Sequence, residues 1–207
     1  LEIGAESLSC SYVPKLFVKN PDTIKLQQLM RYIRVAPHKH EFFELVFVLT
    51  GSVTHVIGDN RFLHVPGDFT IIPPGVSHYL EATDDSICLT ASATEDTFHR
   101  LFLDILRNNA MLSAYLDRTL DQPWFRCAIT LHAGNDPYAS DLLLRIVQQQ
   151  EEHPKYSNRM VELCFQMLLA HLMQNYEETA EYLVADNIWK KKVVNILKYA
   201  YQNNTNI

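Results

Sequence analysis

Nothing in these 207 residues approaches the roughly 18–20 consecutive apolar side chains that a bilayer-spanning helix needs, which excludes an integral membrane helix. The start lacks the pattern of a secretory signal, and its first residue is Leu1 rather than Met, which predicts a trimmed piece of a longer chain. Cysteine is sparse and scattered: Cys10, Cys88, Cys127 and Cys164 form no C-x-x-C pair. That excludes a zinc ribbon and a disulfide scaffold, and it fits a reducing cytoplasm. Positive charge is also short, with 18 Lys and Arg against 24 Asp and Glu, a net −6. Such a surface does not grip phosphates by itself, so nucleic-acid binding by this segment alone is excluded. There is no internal repeat and no low-complexity tract. What remains is ordinary for a packed globular protein, 47% hydrophobic and 20% charged.

Glycine is scarce too, yet four of the six glycines fall between Pro37 and Gly75, together with Pro66, Pro73 and Pro74. Short runs rich in Phe, Val, Ile and Leu lie between these turn residues, a pattern of antiparallel strands in a sandwich or barrel. The runs predict strands near 28–35, 42–50, 53–57, 61–65, 69–73, 78–82 and 86–92, with tight turns at Gly51-Ser52 and Gly58-Asp59-Asn60. From Thr94 the period changes to that of a helix. Thr94 caps, Glu95 and Asp96 fill the first turn, and Phe98, Leu101, Phe102, Ile105 and Leu106 form an apolar stripe. One more strand is predicted from Arg126 to His132. Asp136-Pro137 opens a helix that buries Leu142, Leu143, Ile146 and Val147. After Pro154, Ser157 or Asn158 caps a second helix carrying Met160, Leu163, Cys164, Met167, Leu168 and His171. These two helices should form an antiparallel hairpin. A last helix is expected over 188–202. The fold class is therefore α+β: an antiparallel β-barrel over 1–94, a helical region with one added strand over 95–186, and a separate terminal helix over 187–207.

The chemistry concentrates in His38-Lys39-His40-Glu41-Phe42-Phe43-Glu44 and in the segment from Gly67 to His78. On a strand, His38, His40, Phe42 and Glu44 share one face. Three imidazoles with one carboxylate suit Fe(II), Mn, Zn, Ni or Cu. The same groups equally make a metal-free, hydrogen-bonded polar pocket, so both readings stay open. His55, His64, His99, His132, His153 and His171 have no comparable spacing and are read as core or surface.

These segments resemble the cupin superfamily. Its first motif, G-x5-H-x-H-x3-E-x6-G, matches from His38 through Gly51, with Tyr32 in place of the leading glycine. Its second, G-x5-P-x-G-x2-H-x3-N, matches from Gly67 through His78, with Ala82 in place of the final Asn. The resemblance implies that His38, His40, Glu44 and His78 hold the family's metal positions, for a divalent ion such as Zn, Ni, Fe or Mn.

Pro37 to Gly51 and Gly67 to His78 are also similar to the effector-binding half of AraC-type bacterial transcription regulators. The hairpin 137–175 then stands where that family carries its dimer contact, a reading the consecutive Leu142, Leu143 and Leu144 support. The stretch Val193 to Ile207 resembles the opening helix of that family's DNA-binding part, whose helix-turn-helix is not in this sequence. Trp189 and Lys190-Lys191-Lys192 read either as an anchored, solvated helix or as a contact to DNA phosphates. The resemblance implies a cytoplasmic, homodimeric sensor rather than an enzyme. A small molecule, such as a sugar or polyol, would bind His38, His40, Glu44 and His78, with Phe42, Phe69 and Tyr79 as walls. DNA would be reached only through the part not present. The rival is a metal-dependent cupin enzyme using three His and one Glu, and a third reading is a structural cupin with no specific ligand. The large share of amphipathic helix argues against the enzyme.

Overall fold

The computed structural model describes residues 24–30, 36–58, 60–82, 85–108 and 128–183. Seven strands come first: β1 (Lys25–Met30), β2 (Phe43–Thr50), β3 (Val53–Ile57), β4 (Asn60–His64), β5 (Asp68–Ile72), β6 (His78–Glu81) and β7 (Ile87–Ala93). Then follow α1 (Glu95–Arg107), β8 (Ala128–His132), α2 (Pro137–Glu152), α3 (Ser157–Tyr176), one 3-10 turn at Glu177–Thr179, and β9 (Glu181–Leu183). The expected helix over 188–202, with Trp189 and the three lysines, lies outside the described residues.

Instead of one closed barrel, the described strands form two antiparallel sheets. The larger has the order β1-β7-β2-β5-β8-β9 and the smaller β4-β3-β6. Strand alternation sorts the larger sheet's side chains into two cores. Val46 and Val48 of β2, Ile72 of β5 and Cys88 of β7 meet Val53, Ile57 and Leu80 of the smaller sheet. Phe43, Leu45 and Phe47, with Phe69, Ile71, Leu89 and Leu131, face the other way and pack on Phe98, Leu101, Ile146 and Leu168 of the helices. The molecule thus has three layers: helices, large sheet, small sheet. Each fully buried large apolar side chain contributes about 1.5–3 kcal/mol. The residues expected as barrel and as helical region share one sheet, since β8 pairs with β5 and β9 with β8.

Turn chemistry fixes the ends. Gly51 at φ 72° and Gly58 at φ 59° turn the two hairpins. Thr94 caps α1 by accepting from the Thr97 N–H. Asp136 caps α2 by accepting from the N–H groups of Tyr138 and Ala139, ahead of Pro137. The expected Ser157 or Asn158 cap is corrected. Ser157 is already helical, and Tyr156 precedes it in a left-handed conformation at φ 68° with no side-chain cap bond. The break after α2 turns through left-handed residues at both ends, His153 at φ 47° and Tyr156 at φ 68°, so the chain does not enter α3 through an extended cap residue.

Candidate functional site

His38 and His40 do not lie on a strand, as their spacing predicts; they sit in the segment that leads into β2. Backbone pairing holds them in place instead. The N–H of His38 donates to the His78 carbonyl and the N–H of His78 to the His38 carbonyl, at 3.0 and 3.1 Å, and the Gly75 N–H donates to the His40 carbonyl. Glu44 on β2 points to the space between the sheets, on the same face as Val46. His78 on β6 stands opposite Ile57, facing the same space. One ligand atom from each of His38, His40, Glu44 and His78 lies within 4.8 Å of every other. The lead-in to β2 and one strand from each sheet therefore bring the four groups together.

The three imidazoles share an orientation. Nδ1 of His38 is 3.0 Å from the Ala36 carbonyl, Nδ1 of His40 is 2.6 Å from the Phe42 carbonyl, and Nδ1 of His78 is 3.1 Å from the Val76 carbonyl. A carbonyl only accepts, so each Nδ1 carries the proton and donates. Each Nε2 is then the lone-pair atom, the arrangement that outer hydrogen bonds give metal-ligating histidines. Nε2 of His78 sits 3.0 Å, and Nε2 of His40 3.4 Å, from Oε2 of Glu44. Burial alone would raise the Glu44 pKa, but the imidazoles of His40 and His78 hold it well below the usual carboxylate range, so it is ionised. An ionised oxygen facing a lone pair at 3.0 Å needs a second proton on His78 or a cation between them. The donor set fits a divalent transition metal, and His38, His40, Glu44 and His78 are the residues that would hold it. Burial lowers the pKa of His38, and His78 beside it adds to that shift, keeping the more accessible imidazole neutral and able to ligate.

The expected walls divide. Phe42 stacks on His40 with ring centroids 4.3 Å apart. Phe69 is not brought to the site: alternation on β5 turns it to the helical side, where it stacks on Phe47. Tyr79 is not brought there either. It alternates with the inward His78 and Leu80 and lies on the outer face of the small sheet beside Arg61.

Two histidines read from spacing as core or surface are in the inter-sheet space. His55 on β3 is fully buried, its ring 5.3 Å from that of His78 and 5.4 Å from that of His64. The signal was present in the sequence: Val53, His55 and Ile57 alternate, so His55 shares the inward face of its two apolar neighbours. His132 pairs with buried Asp68, Nδ1 to Oδ1 2.8 Å, and His171 with Asp136 at 2.7 Å.

The sequence model of the family described as AraC-like ligand binding domain matches residues 26–182, a span that holds the whole cluster and the hairpin. Solved structures similar in fold include a cupin-2 domain containing protein from Shewanella frigidimarina, 17% identical, with 36% of this chain and 74% of that one covered and a TM-score of 0.33. KdgF from Halomonas sp. is 21% identical over 36% of this chain and 74% of its own, TM-score 0.33. An RmlC-like cupin family protein with a double-stranded β-helix fold from Methanocaldococcus jannaschii is 15% identical over 36% and 73%, TM-score 0.33. No curated protein matches the sequence.

Proposed function

Because this chain belongs to the AraC-like ligand-binding domain family, matched over residues 26–182, we propose that it is the effector-sensing and dimerisation part of a transcription regulator. The effector is a small molecule, a sugar or related polyol, bound between the sheets by His38, His40, Glu44 and His78, with Phe42 beside them. DNA is reached through a separate helix-turn-helix part, since a net charge of −6 disfavours phosphate binding by this chain alone. The site of action is the cytoplasm. Among the described residues no helix is long and apolar enough to cross a membrane.

The observation that carries this reading is the position of β2. Glu44 enters the site on one side of the large sheet while its neighbour Phe43 packs on the other, its ring stacked 3.8 Å from that of Phe98 on α1. A ligand that displaces Glu44 therefore acts on the seat of α1. From α1 the contact continues to α3, through Gln166 donating to the Leu101 carbonyl and through Arg100 paired with Glu162. Binding shifts the helices only by the ligand's differential affinity for the two arrangements. The hairpin supplies the partner surface. Met160, Leu163 and Met167 recur at helical spacing on the outer face of α3, and with Leu144 of α2 all four are exposed. Apolar side chains on one outer face point to a second copy of the chain.

A thermal-shift screen of small metabolites tests the sensor. Stabilisation that grows with concentration is expected, and His78→Ala should abolish it while the variant still melts cooperatively. No response to any compound, or an unchanged response in the variant, sinks the reading.

The orientation of the three Nδ1 atoms favours a second reading, a metal-dependent cupin enzyme. A divalent ion held by the four groups would supply Lewis acidity to a bound substrate. Near-stoichiometric metal together with turnover of a compound from the same screen would favour the enzyme; stabilisation without turnover favours the sensor.

A further inference from the structure

β1 stands at one end of the large sheet, with β7 on one side and no described strand on the other. A sheet edge presents peptide N–H and C=O groups that need partners. Here a side chain supplies them. The Leu26 N–H donates to Oε1 of Gln150 at 3.1 Å, and Nε2 of Gln150 donates to the Ile24 carbonyl at 3.4 Å. A carboxamide accepts through its oxygen and donates through its nitrogen, as a peptide group does. Gln150 thus fills the place beside Lys25 that one residue of a neighbouring strand would take. Glutamate would offer no donor there, and lysine no acceptor. The helix holds Gln150 in position. Leu143 and Ile146, on the same face of α2, are buried in the core that also takes in Ile24.

This clasp lies in line with the candidate site. Across the large sheet Lys25 is the register partner of Ser92, and Ser92 is the partner of Glu44. Neighbouring strands are about 4.8 Å apart, so β1 at Lys25 is about 10 Å from β2 at Glu44 along one row of paired residues. The other end of α2 is fixed too, where Asp136 caps it and accepts from His171 and Tyr176 of α3. A helix of 16 residues is about 24 Å long. A shift of β1 therefore acts on one end of a lever that is held at the other. We propose that Gln150 is a positioning residue, the clasp through which β1 carries changes at Glu44 to α2. This rests on the reading of the inter-sheet site as an effector pocket and adds a second arm to it. Phe43 and Phe98 lead to α3 and Gln150 leads to α2, so both helices of the hairpin receive the change. Such a route is established by coupling between its two ends, which a pair of substitutions measures.

The test uses the full chain and no ligand. Glu44→Gln removes the charge that faces His40 and His78, and it is made both in the wild type and in Gln150→Leu. With Gln150 present, Glu44→Gln should move the NMR signals of the Leu26 amide, the Gln150 side-chain amide and the last turn of α2, together with those around Phe98 on α1. With Gln150→Leu, the α1 signals should still move, while the α2 displacement falls to less than about half. Amide exchange at Leu26 should quicken about fivefold in Gln150→Leu, the worth of one hydrogen bond. His78→Ala replaces Glu44→Gln, and Gln150→Met replaces Gln150→Leu, should either variant fail to fold. Equal α2 displacement in both backgrounds overturns the clasp, since a side chain that merely stabilises the fold would leave that response unchanged. Gln150 signals that stay still in Glu44→Gln overturn it as well, as does unchanged exchange at Leu26. In each of those cases a metabolite whose stabilisation is lost in His78→Ala leaves the effector pocket standing. A responding α2 with no metabolite bound upholds the clasp while the effector reading falls.

Discussion

Asp136 shows what one side chain does when two helices meet on it. Its Oδ1 caps α2, while Oδ2 accepts from His171 Nε2 at 2.7 Å and from the Tyr176 hydroxyl at 2.6 Å, both on α3. Burial alone would raise its pKa, but these bonds, with the Tyr176 hydroxyl foremost, hold it well below the usual aspartate range. A depressed folded-state pKa means stability that is fully present above the unfolded value, about 3.9, and that drains away as pH falls through it toward the folded value. Asp136→Ala loses the cap and strands two donors, at a cost of about 2 kcal/mol. Asp136→Asn keeps a capping oxygen and loses less, but it has no carboxylate to protonate. Chemical denaturation from pH 6 down to pH 3 should therefore give a shallower fall for Asp136→Asn than for the wild type. Parallel pH profiles would show that the acid sensitivity lies elsewhere.

At the scale of elements, two close glycines separate steric need from conformational need. Gly67 has φ 90°, and a Cβ built there would lie 1.8 Å from the Gly134 carbonyl oxygen. That oxygen is backbone and cannot step aside, because the turn carries the Ala133 N–H to the Gly67 carbonyl at 3.1 Å. Gly134, at φ 57°, has open space around its own Cβ position. Gly134→Ala should cost about 1 kcal/mol, the left-handed penalty alone, whereas Gly67→Ala should cost about 3 kcal/mol or more. Urea titrations of the two variants measure the gap, and equal losses would refute the steric account. The contrast also explains what the sequence could reveal. Gly67 and His78 were legible because their spacing is rigid, and the strands around them because their apolar runs alternate. β9, three residues long, has no period to read, and it becomes a strand only because β8 offers it an edge. Phe69 and Tyr79 were misplaced for a related reason. Which face of a strand is inward depends on register, and a shift of one residue exchanges the faces. His55 was the converse case, visible in the alternation of β3 but silent in any motif. That His38 and His40 sit on a loop could not be read from spacing, since their place is set by backbone bonds to His78 and Gly75.

For the whole molecule, the two proposed roles are thermodynamically tied. The inter-sheet site and the outer face of α3 are joined by one continuous body, from Glu44 through Phe43 and Phe98 to α1 and then to Glu162 and Gln166 of α3. Leu163→Glu or Met167→Glu places a charge on an already exposed position, 38% and 50% accessible in the single chain. Either variant should leave the fold intact and shift sedimentation from dimer to monomer, because a charge in a contact that should be apolar is left unpaired there. If the ligand strengthens the dimer by some factor, dimerisation must strengthen ligand binding by the same factor, since the free energies close a cycle. The monomeric variant should then bind the effector more weakly than the wild-type dimer, and by the amount that effector saturation tightens the wild-type dimer. Calorimetry of both proteins, beside sedimentation equilibrium with and without effector, measures the two sides independently. A coupled sensor gives matching factors of about 5–150, the usual range for such coupling. Equal affinities in monomer and dimer would mean that the stack of Phe43 on Phe98 is packing alone and carries no signal between the pocket and the hairpin.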